Sequence, residues 1–345
     1  MIHASIIIPT YNRSQNLRRA LESICKLDYP WENFEIVIVD NNCTDDTPQV
    51  AESFKKRGLT IQYVREPRLS FTCAREAGAK AAVAPIQNYI DDDVEVDPTW
   101  LSAIMEIFQS DPKIGIVAGH ITPAFESPPE PWVLAAQEMF NGLSLCNYSP
   151  KVSDAPGACG PSFSIRADVL REVGGWPPDS IGVDSFKKTG SVERIHVGPG
   201  DWGLNLKVKD AGYKIKFAPR ARVDHHIPPE RLTWRWWIGR HKGEGYMLAF
   251  TYQIWENQDS KTLRRLAIKN FIKAGKLYLR YLQKILKGDM KKYGYRLLVY
   301  QYITRGRVQL ALARDPSLGK KFWDAALTGV QSQELSKLSA SLPKA

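Results

Sequence analysis

Apolar and polar positions fall in blocks along the first hundred residues, and the period of the blocks changes back and forth. Residues 5–9 (SIIIP) are a continuous β-branched run suited to a parallel strand buried on both faces. The run stops at Thr10, Tyr11 and Asn12, and Leu17, Leu21 and Ile24 then follow at helical spacing behind Ser14, a candidate N-cap. A second buried run, residues 34–39, ends at Asp40, Asn41 and Asn42. Residues 60–64 predict a third strand, 74–82 an alanine-rich helix, and 86–90 a fourth strand that stops at Asp91, Asp92 and Asp93. Strands alternating with helices predict an α/β fold built on a Rossmann-like, mainly parallel sheet flanked by helices.

Open α/β sheets bind ligands in the crevice beyond the carboxyl ends of their strands. The polar residues that end three of these strands are therefore expected to share one crevice. Residues 123–161, rich in Pro, Ser, Asn and Gly, predict loops and short elements, and residues 179–200 have the size and glycine content of a functional loop or lid. From Arg231 the pattern turns wholly helical. Beyond Thr262, the apolar positions Leu263, Ala267, Phe271, Ala274, Tyr278, Tyr281 and Ile285 step by three or four, with Arg265, Lys269, Lys273, Lys276, Arg280, Lys284 and Lys287 opposite them. That pattern predicts a basic amphipathic helix.

Charge divides the chain of 345 residues. Residues 1–230 carry 24 basic and 30 acidic side chains, a net of −6, whereas residues 231–330 carry 21 and 6, a net of +15. The expected organisation is an acidic α/β module (1–230), a basic helical extension (231–330) and a short tail (331–345). An apolar fraction of 43% supports a substantial core and excludes disorder as the main state. The five cysteines are an odd set with no close pair and no zinc-type spacing, as in a reducing cytosol. The opening MIHASIIIPT lacks the features of a secretory signal, and no run of about 18 uncharged apolar residues predicts a spanning helix. The expected location is cytoplasmic, with peripheral attachment to the inner face of the plasma membrane left open.

Three consecutive carboxylates at the end of an apolar strand, in YIDDDVEVDPTWL, repel one another unless a cation or hydrogen bonds offset them. They read either as a solvated acidic turn or as the seat of a hard divalent cation chelated by a diphosphate. Such a cation takes one or two carboxylates and leaves its other positions to phosphate and water. Asp201 opens a helical pattern, where an acidic residue is an ordinary cap or dipole partner. His225 and His226, in ARVDHHI, are either polar surface residues or metal donors.

Taken in order, IIIPTYNR, IVIVDNNCTDDT, AREAGAKAA, IDDDVEVDPTWL, GDWGLNLKVKDAGYKI and ARVDHHIPPERL resemble the motifs of family 2 glycosyltransferases with the GT-A fold, of the bacterial polysaccharide type. The resemblance covers roughly residues 3–245. It implies that Pro9, Thr10, Tyr11 and Asp40 hold the nucleotide, with Arg68 and Arg75 as phosphate or base contacts. It also implies that Asp91, Asp92 and Asp93 carry the Asp-x-Asp motif, with Asp93 as metal ligand. His225 aligns with the histidine that completes the coordination of Mn2+ or Mg2+, and His226 is the close alternative. Asp201 matches the general base, but the Glu that usually precedes it is replaced by Gly200. Gly160 matches a segment near the acceptor, and Trp202 is either a stacking face for a sugar or a core anchor.

The implied activity is inverting, metal-dependent transfer of a sugar from a nucleotide diphosphate donor, a UDP-sugar first, to a glycan or lipid-linked glycan. The alternatives are a non-catalytic sugar-nucleotide or glycan-binding relative and a nucleic-acid-binding protein using the basic extension. No nucleic-acid module accompanies that charge, so no nucleic-acid partner is expected. The amphipathic helix itself is read as packing on a core or as lying on an anionic membrane surface.

Overall fold

The structure is a computed structural model describing residues 2–181, 195–196 and 198–328. Much of the segment expected to form a lid, and all of the 331–345 tail, lie outside the described residues. The elements run β1 (Ala4–Thr10), α1 (Ser14–Ile24), β2 (Phe34–Asp40), α2 (Thr47–Lys55), β3 (Ile61–Arg65), α3 (Phe71–Ala81), β4 (Ile86–Tyr89), β5 (Val94–Val96), α4 (Trp100–Ser110), β6 (Ile114–Phe125), α5 (Pro131–Met139) and β7 (Ser153–Asp154). They continue with β8 (Phe163–Arg166), α6 (Ala167–Glu172), β9 (Ser180–Ile181), β10 (Ile195–His196), α7 (Gly200–Asp210), β11 (Lys214–Ile227), α8 (Trp234–Ile254), α9 (Ser260–Leu286), α10 (Lys292–Arg314) and α11 (Ser317–Thr328). The backbone divides into two units. One comprises Met1–Ala124, Ser144–Pro177 and Gly200–Ile227; the other comprises Phe125–Leu143, Pro178–Pro199 and Pro228–Ala345.

The first unit is the expected α/β fold. Its sheet has the order β3-β2-β1-β4-β8-β6-β11-β5, with β7 added beside β11. Pairing is parallel from β3 through β4, and β1, β2 and β3 are each followed by a helix that carries the chain back across the sheet. Beyond β4 the strands join antiparallel, β4 to β8, β8 to β6 and β11 to β5. The apolar runs of β1 and β2 are buried on both faces because helices cover both. Ile6, Ile8, Ile36 and Ile38 pack with Leu17, Leu21, Phe54 and Trp100, while Ile7, Val37 and Val39 pack with Ala74, Phe163, Leu204 and Phe217.

Ser14 is the first helical residue of α1 rather than its cap. Its backbone N–H donates to Asp45 Oδ2 at 2.8 Å, so a carboxylate from the next loop satisfies the helix start. The same carboxylate accepts from the Thr47 backbone N–H and hydroxyl, at 3.2 and 2.6 Å, where α2 begins. Residues 123–161 hold the expected loops and short elements, the end of β6, the helix α5 and the strand β7 among them.

Among its described residues the second unit is mainly helical, with the short β9–β10 pair beside the helices. Ala249, Phe250, Leu263, Val308, Leu312 and Phe322 form its core, and Trp132 packs edge-on against Trp234 and Trp237. Thr233 caps α8 and Asp259 caps α9. Inside the unit, Asn270 donates to Gln309 Oε1 at 2.7 Å and ties α9 to α10. Of the apolar stripe expected on α9, Leu263, Ala267 and Ala274 are buried, whereas Tyr278 and Ile285 remain exposed. Among the described residues no helix is long and apolar enough to cross a membrane.

Candidate active site

Strand register sets the site. Thr10 lies opposite Asp40 and Asp40 opposite Arg65, so the polar residues after β1, β2 and β3 end at one level. Pro9 and Thr10 are buried, and Tyr11 is half-buried. Thr10 Oγ1 donates to Asp92 Oδ2 at 2.8 Å, which joins the end of β1 to the acidic turn after β4. Asn12, at φ 52°, accepts from the Thr44 backbone N–H at 2.7 Å and so joins the loops after β1 and β2. Asp40 is buried and accepts from the Cys43 backbone N–H and the Tyr63 hydroxyl, each at 2.6 Å. Burial and that carboxylate hold the Tyr63 proton in place well above the ordinary phenol range. Arg68 is clamped by Glu66, at 2.8 and 2.6 Å from its two carboxylate oxygens.

The acidic turn is buried rather than solvated, with Asp92 and Asp93 almost wholly enclosed. Arg13 Nη1 reaches Asp92 Oδ1 at 3.1 Å and Asp93 Oδ2 at 3.2 Å. Burial first, and the charge of Asp93 next, push Asp91 up to about 7. Burial also raises Asp92, against the opposing pull of Arg13. Arg13 and Arg75 offset these crowded carboxylates only in part. β11 brings the histidines to it, because His225 pairs with Val94 and the His226 backbone N–H donates to Asp93 O at 2.8 Å. The two imidazoles point to different partners. His225 Nε2 stands 3.5 Å from Asp93 Oδ1, both side chains being buried. His226 is engaged at both ring nitrogens, by Glu95 Oε1 at 2.7 Å and by Arg19 Nη1 at 2.9 Å.

A carboxylate and an imidazole at that separation, among carboxylates offset only in part, are a donor set that fits Mn2+ or Mg2+. Among the described residues no group of three or more His, Cys, Asp or Glu side chains gathers into a closed cage.

A second convergence lies beside the first. Arg75, buried on α3, forms an ion pair with Asp201 at the start of α7. Its guanidinium is stacked between Phe71 and Trp176, 4.0 and 4.3 Å from the ring centroids. A Cβ on Gly160 would stand 2.8 Å from Arg75 Nη2, 3.0 Å from Asp201 Oδ2 and 3.7 Å from Asp91 Oδ1, so glycine alone leaves room where these groups meet. Gly200, which replaces the family's Glu, adopts φ 46°, a left-handed conformation that favours glycine over any side chain. Trp202 is 54% exposed, which excludes the core-anchor alternative.

The sequence reading did not single out three residues that shape this site. Arg13 is signalled only by its place at the end of the IIIPTYNR motif. Asn205 bonds to Ala158 through both its amide atoms and to Asp201 O at 2.9 Å, fastening α7 to the segment that carries Gly160. Glu76 accepts from the Trp176 backbone N–H at 2.7 Å and holds one wall of the Arg75 slot. The cysteines, widely spaced in sequence, include one close pair in space, Cys146 and Cys159, with sulfurs 2.9 Å apart as free thiols.

Residues 5–174 match the sequence profile of glycosyl transferase family 2. Over 252 residues the chain is 21% identical to the glucosyl-dolichyl phosphate glucuronosyltransferase of Haloferax volcanii, covering 70% of this chain and 75% of that protein. Over 248 residues it is 24% identical to glycosyltransferase AglE of the same organism, covering 71% and 74%. Among solved structures, a mannosyltransferase from Pyrobaculum calidifontis in complex with GDP-Man and Mn2+ shares the fold with a TM-score of 0.52. Identity there is 18%, over 98% of this chain and 79% of the other. The ordered motifs, the GT-A sheet and the family match together make the protein a glycosyltransferase whose residues 5–174 belong to glycosyl transferase family 2.

Proposed function

We propose that this enzyme is inverting and metal-dependent, and that it moves a sugar from a nucleotide diphosphate, a UDP-sugar first, to a hydroxyl of a glycan or lipid-linked glycan. The observation that carries the reading is the convergence of Asp201, Arg75 and Asp91 around Gly160, next to Asp93 and His225. Residues 1–230 form the catalytic part in this reading, 231–330 a basic extension and 331–345 a tail.

Pro9, Thr10, Tyr11 and Asp40 receive the nucleoside at the strand ends, with Arg68 at the rim. Asp91 and Asp92 face the ribose and diphosphate. Asp93 and His225 would hold Mn2+ or Mg2+; the mannosyltransferase that shares the fold is in complex with Mn2+. Bound there, the ion would offset the negative charge that grows on the departing diphosphate. Asp201 takes the proton of the acceptor hydroxyl as its oxygen attacks the anomeric carbon, a general-base role whose value lies in the transition state. Attack on the face opposite the leaving diphosphate inverts the anomeric configuration. Gly160 leaves space for the acceptor, and the exposed indole of Trp202, adjacent to the base, offers it a stacking surface. The relative in Haloferax volcanii is named for a dolichyl phosphate-linked sugar, which favours a lipid-linked acceptor here. A lipid-linked acceptor is reached at a membrane surface, which supports reading the enzyme as cytoplasmic with peripheral attachment to the inner face of the plasma membrane.

The test is Asp201→Asn, assayed by single-turnover transfer from a panel of nucleotide sugars with Mn2+ and by calorimetric titration of the donor. The amide cannot accept the proton, so transfer is expected to vanish while donor affinity stays near wild type. Turnover near wild type would overturn the assignment of the base.

A further inference from the structure

The helix α9 has two apolar faces, and the fold uses one. Leu263, Ala267, Asn270, Ala274 and Leu277 are buried within the second unit. Ile268, Ile272, Leu279, Leu282 and Leu286 are exposed, Leu279 at 61% and Leu286 at 88%. With Gly275 these positions step alternately by four and three residues from 268 to 286, which at about 100° per residue draws one narrow stripe along the helix. Lys269, Lys273, Lys276 and Arg280 border it on one side and, with Ile272 and Leu277, line a groove of about 380 Å³. The helix carries eight Lys or Arg and no Asp or Glu.

From this arrangement we infer that the stripe is a membrane-docking seam, its apolar side chains entering the headgroup boundary of an anionic bilayer while the basic row lies on the headgroups. The inference rests on the peripheral attachment proposed above and names the surface that makes it. Charge selects the occupant. A second copy docked on the same seam would bring two basic rows together with no carboxylate on either helix to offset them, whereas an anionic lipid surface complements the row. The inner face of α9 needs no help from the seam, being held by its own buried residues and by the Asn270–Gln309 hydrogen bond.

The experiment sediments the full chain with vesicles of phosphatidylcholine, with and without phosphatidylglycerol. It compares wild type with two variants: Ile272→Ser/Leu279→Ser/Leu286→Ser and Lys269→Gln/Lys276→Gln/Arg280→Gln. Wild type is expected to bind only the anionic vesicles and to release at high salt. Each variant is expected to lower that partition by about 100-fold or more, with thermal melting near wild type because the replaced side chains are exposed. Wild type that binds no vesicle overturns both the seam and the peripheral reading. If either variant binds as wild type does, the seam is overturned and attachment elsewhere stands. A wild-type dimer made monomeric by the serine variant would make a second copy the occupant and overturn the proposal as well. Should the serine variant unfold, the glutamine variant reads the same question.

Discussion

The Arg75 guanidinium is paired with the Asp201 carboxylate while being stacked between the rings of Phe71 and Trp176. An arginine so walled cannot swing, so it holds one carboxylate oxygen and leaves the other, Oδ2, beside the space at Gly160. Replacing Arg75 by Gln is expected to cost about 100-fold in turnover, the scale of an ångström-level misplacement of a reacting group. Lysine should rescue little, because a compact ammonium cannot stack between two rings as a planar guanidinium does. Steady-state kinetics decide between positioning and the donor contact expected from family resemblance. A loss confined to KM for the donor would make Arg75 a phosphate contact and remove it from the base.

His225 and His226 are neighbours on β11 with opposite surroundings, as adjacent strand residues must be. His225→Ala is expected to abolish the Mn2+ dependence of nucleoside diphosphate binding, measured by calorimetry with and without the metal. His226→Ala is expected to leave that dependence intact and to cost about 0.5–1.5 kcal/mol of stability in urea denaturation, since it removes the hydrogen bonds to Glu95 and Arg19. If His226→Ala is the variant that loses Mn2+ dependence, the ligand is the wrong neighbour of the pair.

That contrast shows where sequence is legible. The strands β1, β2 and β4 can be read because each is a short buried run ended by turn residues, and parallel register then lines up Thr10 with Asp40. The choice between two adjacent histidines depends on which face of the sheet each one turns to, and no local pattern contains it. The Arg75–Asp201 pair spans 126 positions, and its partners lie on helices with no sequence signal of their meeting. Asp45 displaces Ser14 as the cap of α1 for the same reason, the better acceptor arriving from another loop. On α9 the helical period is plain, but a period of 3.6 fits an inward stripe and an outward one equally well. Packing alone separates Leu263 and Ala267 from Ile268 and Ile272.

The last prediction concerns stability and rests on His241 in α8. Its side chain is wholly buried, its Nδ1–H donates to Gln301 Oε1 at 3.2 Å, and its ring lies 4.2 Å from Phe140 and 6.3 Å from Trp237. Burial drives its pKa from the ordinary 6.5 down to about 4, with the charge of Arg240 acting in the same direction and the Gln301 hydrogen bond opposing. The unfolded chain therefore binds a proton that the folded chain refuses between those two values. Stability from this residue is complete above about pH 6.5 and is lost as pH falls toward 4, reaching on the order of 2 kcal/mol lost at about pH 5. His241→Gln removes the titrating group, so the gap in unfolding free energy between wild type and variant should narrow by that amount from neutral pH to about pH 5. Urea denaturation of both proteins at the two pH values measures it. A gap that stays constant would mean that His241 takes its proton in the folded state as readily as in the unfolded one.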